Sequence, residues 1–131
     1  MMIEDIRRDI AKKDRIGINI FYNSKINLEG RLSNILWGIE EEEIPFVLIP
    51  VEETNAEILG SRASRESKLG VGIGIGEREV TLYQEKLEMD KPLFRYTIDS
   101  DESILRALGV NGARLIKGNP FIIPEMTGGK R

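Results

Sequence analysis

Leu69-Gly70-Val71-Gly72-Ile73-Gly74-Ile75-Gly76 alternates without a break between an aliphatic residue and glycine. A period of two belongs to a β-strand, where successive side chains point to opposite faces of a sheet. One face of this strand is aliphatic and the other is bare backbone. Glycine weakens a strand interior, so its repeated use marks a close approach by something else. Either a helix packs tightly over the bare face, or a ligand or partner backbone does. A dinucleotide fingerprint is excluded, because Gly-x-Gly-x-x-Gly belongs at a strand-to-helix turn and these glycines recur every second residue. No Gly-Lys-Ser/Thr follows, so a phosphate loop is missing as well.

Upstream, Arg15 to Tyr22 is rich in β-branched and aromatic residues and reads as a strand. Asn23, Ser24 and Asn27 supply turn and cap chemistry. Leu32, Ile35, Leu36 and Ile39 follow at i, i+3, i+4, i+7, which predicts a helix from about Glu29 to Glu42. Trp37 lies off the centre of that stripe, at the edge of the core or on a partner. Phe46-Val47-Leu48-Ile49-Pro50 is apolar throughout, as a strand buried on both faces requires. After a polar turn at Glu52 to Thr54, Ala56 to about Lys68 reads as a helix with a thin stripe of Ile58, Leu59 and Ala63.

Downstream, Glu77-Arg78-Glu79 makes a short turn into Val80-Thr81-Leu82-Tyr83, and so short a connection predicts an antiparallel hairpin. Pro92 to Tyr96 can add an edge strand. Asp99, Ser100 and Asp101 are cap residues for a last helix carrying Ile104, Leu108 and Leu115, stopped by Gly118-Asn119-Pro120. Alternating strands and helices in the first half predict right-handed crossovers. The fold class is therefore α/β, a three-layer sandwich with a mixed, mostly parallel sheet. Residues 1–131 read as one domain with a core over 15–121. Residues 1–14, where Ile3, Ile6 and Ile10 repeat at helical spacing, read as a helix or an arm that orders on a partner. Residues 122–131 read as a loose tail.

Composition narrows the chemistry. The chain has no histidine, which removes the commonest general base and transition-metal ligand. It has no cysteine, which removes thiol nucleophiles, disulfides and zinc or iron–sulfur ligation. A metal held by side chains would rest on carboxylates, favouring magnesium, calcium or manganese. The net charge of −3, with both signs mixed along the chain, argues against nucleic acid as a partner. No apolar run is long enough for a membrane span and no signal peptide is evident, so the expected compartment is the cytoplasm. Ser61, Ser64 and Ser67 lack a histidine partner and a Gly-x-Ser-x-Gly elbow, which argues against seryl catalysis. Arg62 and Arg65 read as a solvated helix face or an anion contact.

Two further clusters stand out. Gly38-Ile39-Glu40-Glu41-Glu42-Glu43-Ile44-Pro45-Phe46 ends the first helix on four consecutive carboxylates. A helix C-terminus carries about −0.5 of a charge and disfavours anions by about 0.3–1 kcal/mol each. A cation belongs nearby, whether a metal ion, a partner's basic patch or a local Lys or Arg; the plainer reading is a solvated, salt-screened corner. On the last helix, Asn111, Arg114 and Lys117 lie close together. They are either a satisfied buried amide with two surface cations or a polar patch at an interface.

Three of these stretches together resemble one family. Gly38 to Phe46 resembles its Gly-Ile-Glu-Glu-Glu-Gly-Ile-Pro-Phe signature, and Ser67 to Ile75 its Ser-x-Leu-Gly-Val-Gly-Ile-Gly-Ile strand. Gly109-Val110-Asn111-Gly112-Ala113-Arg114-Leu115-Ile116-Lys117-Gly118-Asn119-Pro120-Phe121 resembles its Gly-x-Asn-Ala-Ala-Arg-Leu-Val-Lys-Gly-x-Pro-Phe ending, and Pro92-Leu93-Phe94 matches a further tripeptide. The family comprises medium subunits of cobalamin-dependent diol and glycerol dehydratases and small subunits of their reactivating factors. The short stretch before the first strand places this chain with the latter, since medium subunits usually carry a long N-terminal region.

The resemblance implies a fold like that of anticodon-binding domains. It implies a hetero-oligomer with a large actin-like ATPase subunit that holds ATP or ADP, and a transient encounter with the dehydratase, outside any membrane. Association with a bacterial microcompartment is part of the same picture. The implied role is that of a non-catalytic chaperone subunit that exchanges with the dehydratase medium subunit so that damaged cobalamin leaves. The alternative is a structural medium subunit of the holoenzyme itself; an independent carboxylate enzyme is disfavoured by the missing histidine. By the same resemblance Glu41 reaches the large subunit and helps hold a magnesium or calcium ion there, the chain alone holding no cofactor. Glu40, Glu41, Glu42, Asn111 and Arg114 become the expected partner-binding residues. Glu43 departs from the family's glycine, which leaves the helix ending and the ion-facing carboxylate open, and Gly112 departs from its alanine.

Overall fold

The computed structural model describes residues 16–124. The expected N-terminal helix or arm at 1–14 lies outside the described residues. Strands β1 (Ile18–Asn23), β2 (Phe46–Val51), β3 (Val71–Ile75), β4 (Glu79–Gln84) and β5 (Phe94–Thr97) form one sheet in the order β2-β1-β3-β4-β5. β1 pairs in parallel with β2 and β3, while β3–β4 and β4–β5 are antiparallel, so only β4 runs against the rest. Three α-helices, α1 (Ser33–Glu41), α2 (Ala56–Arg65) and α3 (Glu102–Lys117), pack on the sheet. The sheet is mixed, as expected, with two parallel and two antiparallel pairings rather than a mostly parallel set.

Strand order explains the layers. The chain steps from β1 outward to β2, then back across β1 to β3. Right-handed crossovers in opposite directions put α1 and α2 on opposite faces. Residues paired across the sheet show which face is which. Leu48, Ile20, Ile73, Leu82 and Phe94 form one continuous apolar row. They belong to the main core, which also takes Ile35 and Ile39 of α1 and Leu105 and Leu108 of α3. The neighbouring row reads Ile49, Phe21, Gly74, Thr81 and Arg95, and it faces α2.

The bare face of β3 is filled by α2, which settles the first question the sequence left open. A Cβ on Gly72 would lie closer than 3.0 Å to the backbone of Ala63 and Ser64, and one on Gly74 would strike the backbone of Gly60 and Ala56. The helix meets the sheet through Ala56, Gly60, Ala63 and Ser64, which are all buried. Sheet side chains bond its carbonyl groups: Thr81 Oγ1 donates to Ala56 O at 2.8 Å and Asn19 Nδ2 to Ala63 O at 3.2 Å. The thin apolar stripe of α2 is therefore a close-packing surface, and Ile58, expected within it, is only partly buried.

Helix ends differ from expectation for local reasons. Gly30, with φ +85°, cannot continue a right-handed helix, so Gly30–Leu32 form a 3₁₀ turn before α1. α2 is capped by Asn55, whose Oδ1 accepts from the amides of Glu57 (2.8 Å) and Ile58 (3.0 Å). It stops at Arg65 rather than Lys68: the Ser67 amide falls back to Ser64 O at 3.3 Å, and the Ser67 hydroxyl donates to Gly17 O at 2.9 Å. Asp101 stands at the start of α3, where its carbonyl, not its side chain, accepts from the Ile104 and Leu105 amides, and Gly118 ends the helix at φ +75°.

Candidate functional site

The acidic run of the sequence forms a corner where α1 and α3 finish side by side. The two helices approach closely because each places a glycine on the other's backbone. A Cβ on Gly38 would overlap Arg106 O, and one on Gly109 would overlap Ile35 O. That contact sets which α3 side chains reach the end of α1.

The end of α1 is a left-handed cap built on glutamate. Glu43 has φ +61°, its amide donates to Glu40 O at 3.0 Å, and the Ile44 amide reaches Ile39 O at 3.5 Å. These are the two reversed hydrogen bonds of a Schellman ending, whose turning residue is usually glycine. Glu43 thus takes the left-handed conformation that glycine, the residue of the resembled signature, adopts at little cost. A side chain there costs about 1–2 kcal/mol. Pro45 O then accepts from the Ile18 amide at 3.1 Å, which feeds the corner into β2.

Local cations answer two of the four carboxylates. Arg106 Nη1 donates to Glu41 Oε2 at 2.8 Å, while its Nη2 donates to Asn34 Oδ1 at 3.1 Å. Lys117 Nζ lies 2.8 Å from Glu42 Oε1 and 3.1 Å from the Glu42 carbonyl oxygen, and Arg114 Nη2 lies 3.3 Å from Glu42 Oε2. Glu42 is the covered member, its side chain 15% exposed, whereas Glu41 is 49% exposed. The hydrogen bond from Lys117 is the main influence holding the Glu42 carboxyl below its ordinary range; burial opposes it and Arg114 reinforces it. Glu40 and Glu43 point outward and are exposed.

Of the residues expected to act together, Glu40, Glu41, Glu42 and Arg114 share this corner. Asn111 does not. It is fully buried, its Nδ2 donates to Ile122 O, and its Oδ1 accepts from the Ile122 amide, both at 2.7 Å. Such an amide clamp fixes backbone as a strand pairing would, and Arg114 Nη1 supports it by donating to Pro120 O at 3.2 Å. Phe121 sets its ring edge-on to Phe94, with centroids 5.4 Å apart. Ile122, counted with the tail from sequence, is therefore tied to α3. Arg106 and Asn34 were missed, although Arg106, Arg114 and Lys117 at i, i+8 and i+11 fall within about 80° on one helix face.

Among the described residues no three Asp, Glu, His or Cys side chains gather to hold a metal ion. Glu41 fits a smaller role: a half-exposed carboxylate can give one ligand to an ion that another chain completes. Among the described residues, no helix is long and apolar enough to cross a membrane.

The fold is an α/β domain with α2 on one face of the sheet and α1 and α3 on the other, and its acidic corner is held by Arg106, Arg114 and Lys117. Residues 17–122 match the dehydratase medium subunit family, and the chain belongs to that family. It is 39% identical over 88 residues to the propanediol dehydratase-reactivating factor small subunit of Citrobacter freundii, spanning 67% of this chain and 76% of the relative. It is 37% identical over 95 residues to the diol dehydratase-reactivating factor small subunit of Klebsiella michiganensis, spanning 71% and 74%. Two solved structures are similar. A glycerol dehydratase reactivase superposes with a TM-score of 0.77 at 32% identity, covering 82% of this chain and 96% of that one. A diol dehydratase-reactivating factor complexed with ADP and Mg2+ gives 0.75 at 33% identity, covering 82% and 97%.

Proposed function

We propose that this chain is the non-catalytic small subunit of a reactivating factor for a cobalamin-dependent diol or glycerol dehydratase. The observation that carries the reading is the similarity, above 30% identity, to reactivase chains over 96% and 97% of their length. The curated relatives are reactivating-factor small subunits, which favours this reading over a medium subunit of the holoenzyme. Nucleotide chemistry is assigned to a large, actin-like ATPase subunit that carries ATP or ADP, in keeping with the ADP and Mg2+ of one similar structure. This chain supplies shape and interface. Its fold is that of the medium-subunit family, so it can occupy that subunit's place on the dehydratase, and the exchange loosens the enzyme until damaged cobalamin leaves.

Docking on the large subunit uses the acidic corner. Glu41 contributes one carboxylate to a magnesium or calcium ion shared between the chains, where the ion neutralises the facing acids. Glu42 and Arg114 hold the corner in shape, Glu40 flanks it, and Asn111 acts through the segment it clamps. The complex works in the cytoplasm, with the microcompartment as its setting. Affinity capture of the tagged chain tests the reading: an actin-like ATPase should be recovered in magnesium. Recovery of a dehydratase catalytic chain as a permanent partner would overturn it.

A further inference from the structure

On α1 the side chains turned to the sheet and to α3 are Ile35, Leu36 and Ile39, all buried. Trp37, the only tryptophan of the chain, is 56% exposed. At about 100° per residue the indole lies about 40° around the helix from Glu41 and about 60° from Glu40 on the other side. It therefore stands between two exposed carboxylates. Arg106 closes the stripe toward α3 through its bonds to Glu41 and Asn34. Tryptophan is among the residues that most often dominate binding energy, typically when ringed by polar contacts that exclude water.

We infer that the outer face of α1, centred on Trp37, is the apolar anchor of the docking surface, and that it receives an apolar recess rimmed by arginine or lysine on the large subunit. The inference rests on the reading of the chain as a reactivating-factor subunit. Charge chooses the occupant. Glu41 is bonded by Arg106 and, on the proposed function, faces the shared ion, so Glu40 is the open carboxylate beside the indole and calls for a cation on the facing surface. A second copy docked symmetrically on the same face would set carboxylates against carboxylates, which disfavours self-association. A guanidinium can stack on the indole and still reach Glu40.

The single tryptophan provides the test. The chain labelled with 5-fluorotryptophan carries one fluorine resonance at Trp37, which is followed while the large subunit of its own reactivating factor is added in magnesium. The resonance is expected to shift and to become protected from a soluble paramagnetic quencher. Trp37→Ala should weaken the complex by about 30-fold, as loss of a dominant anchor does, with the fold intact by circular dichroism. Trp37→Phe should restore part of the affinity. A complex that forms while Trp37 stays as accessible as in the free chain overturns the anchor and leaves the reactivating-factor reading standing. Protection that appears in the chain alone, with doubling of its mass, assigns the face to a second copy and also overturns it. Failure of any complex to form overturns both readings.

Discussion

Lys117 holds Glu42 twice, through the carboxylate at 2.8 Å and through the main-chain carbonyl at 3.1 Å. One ammonium group from the end of α3 thereby satisfies an open carbonyl and a charge at the end of α1. Because the folded-state carboxyl titrates below its ordinary range, the unfolded chain binds this proton more readily. The contribution is present above the ordinary carboxylate pKa and disappears as pH falls through the lower folded value. Glu42→Gln should destabilise the protein by about 1 kcal/mol at pH 7. Urea denaturation at pH 7 and at acid pH checks it, since the gap between variant and wild type should close on acidification. An unchanged gap would remove the charge as its cause.

Glu43→Gly should stabilise the chain by about 1 kcal/mol, because glycine takes the φ +61° conformation without the steric penalty of a Cβ. Glu43→Val should move the other way. Thermal denaturation of both variants gives the sign directly.

Gly72→Val and Gly74→Ala should each cost about 3 kcal/mol or more, since the added carbon meets α2 backbone rather than a side chain that can turn aside. Equilibrium unfolding measures it. A variant of normal stability would mean that α2 can lift off the sheet.

Asn111→Leu should release the segment that follows Pro120. It removes two partly buried hydrogen bonds at about 1 kcal/mol each, and the freed Ile122 amide should exchange with solvent far faster. Hydrogen exchange resolved at Ile122 reads this separately from global unfolding.

Glu41→Gln should weaken association with the large subunit about tenfold in magnesium and abolish the difference between magnesium and chelator, while the fold stays intact. Titration calorimetry in both conditions decides it, and equal affinities of wild type and variant would discard the metal role.

Much of this architecture was legible in the residues. The alternation of glycine and aliphatic side chains around Ile73 defined a strand with one bare face. The i, i+3, i+4, i+7 spacing of Leu32 to Ile39 defined α1, and the element order was correct throughout. Those features are written in short-range periodicity, which the chain carries whatever its neighbours do. Helix ends were less legible. Ser67, just past the end of α2, bonds the carbonyl of Gly17, fifty residues earlier, a contact that no local pattern shows.

The candidate site divided in the same way. Four successive glutamates at the negative pole of a helix left a nearby cation and a solvated corner both open, and the sequence alone determined no more than that, together with the family that three ordered motifs resemble. Only the tertiary structure decided which cations answer them. The crossing at Gly38 and Gly109 sets α3 against α1, giving Arg106 to Glu41 and Lys117 with Arg114 to Glu42. It also turned Asn111 inward to Ile122 and left Trp37 facing water. The reason is physical: periodicity says which side of a helix is buried, but the partner of each charged group depends on the distance and angle between helices, which are set by contacts far apart in the chain.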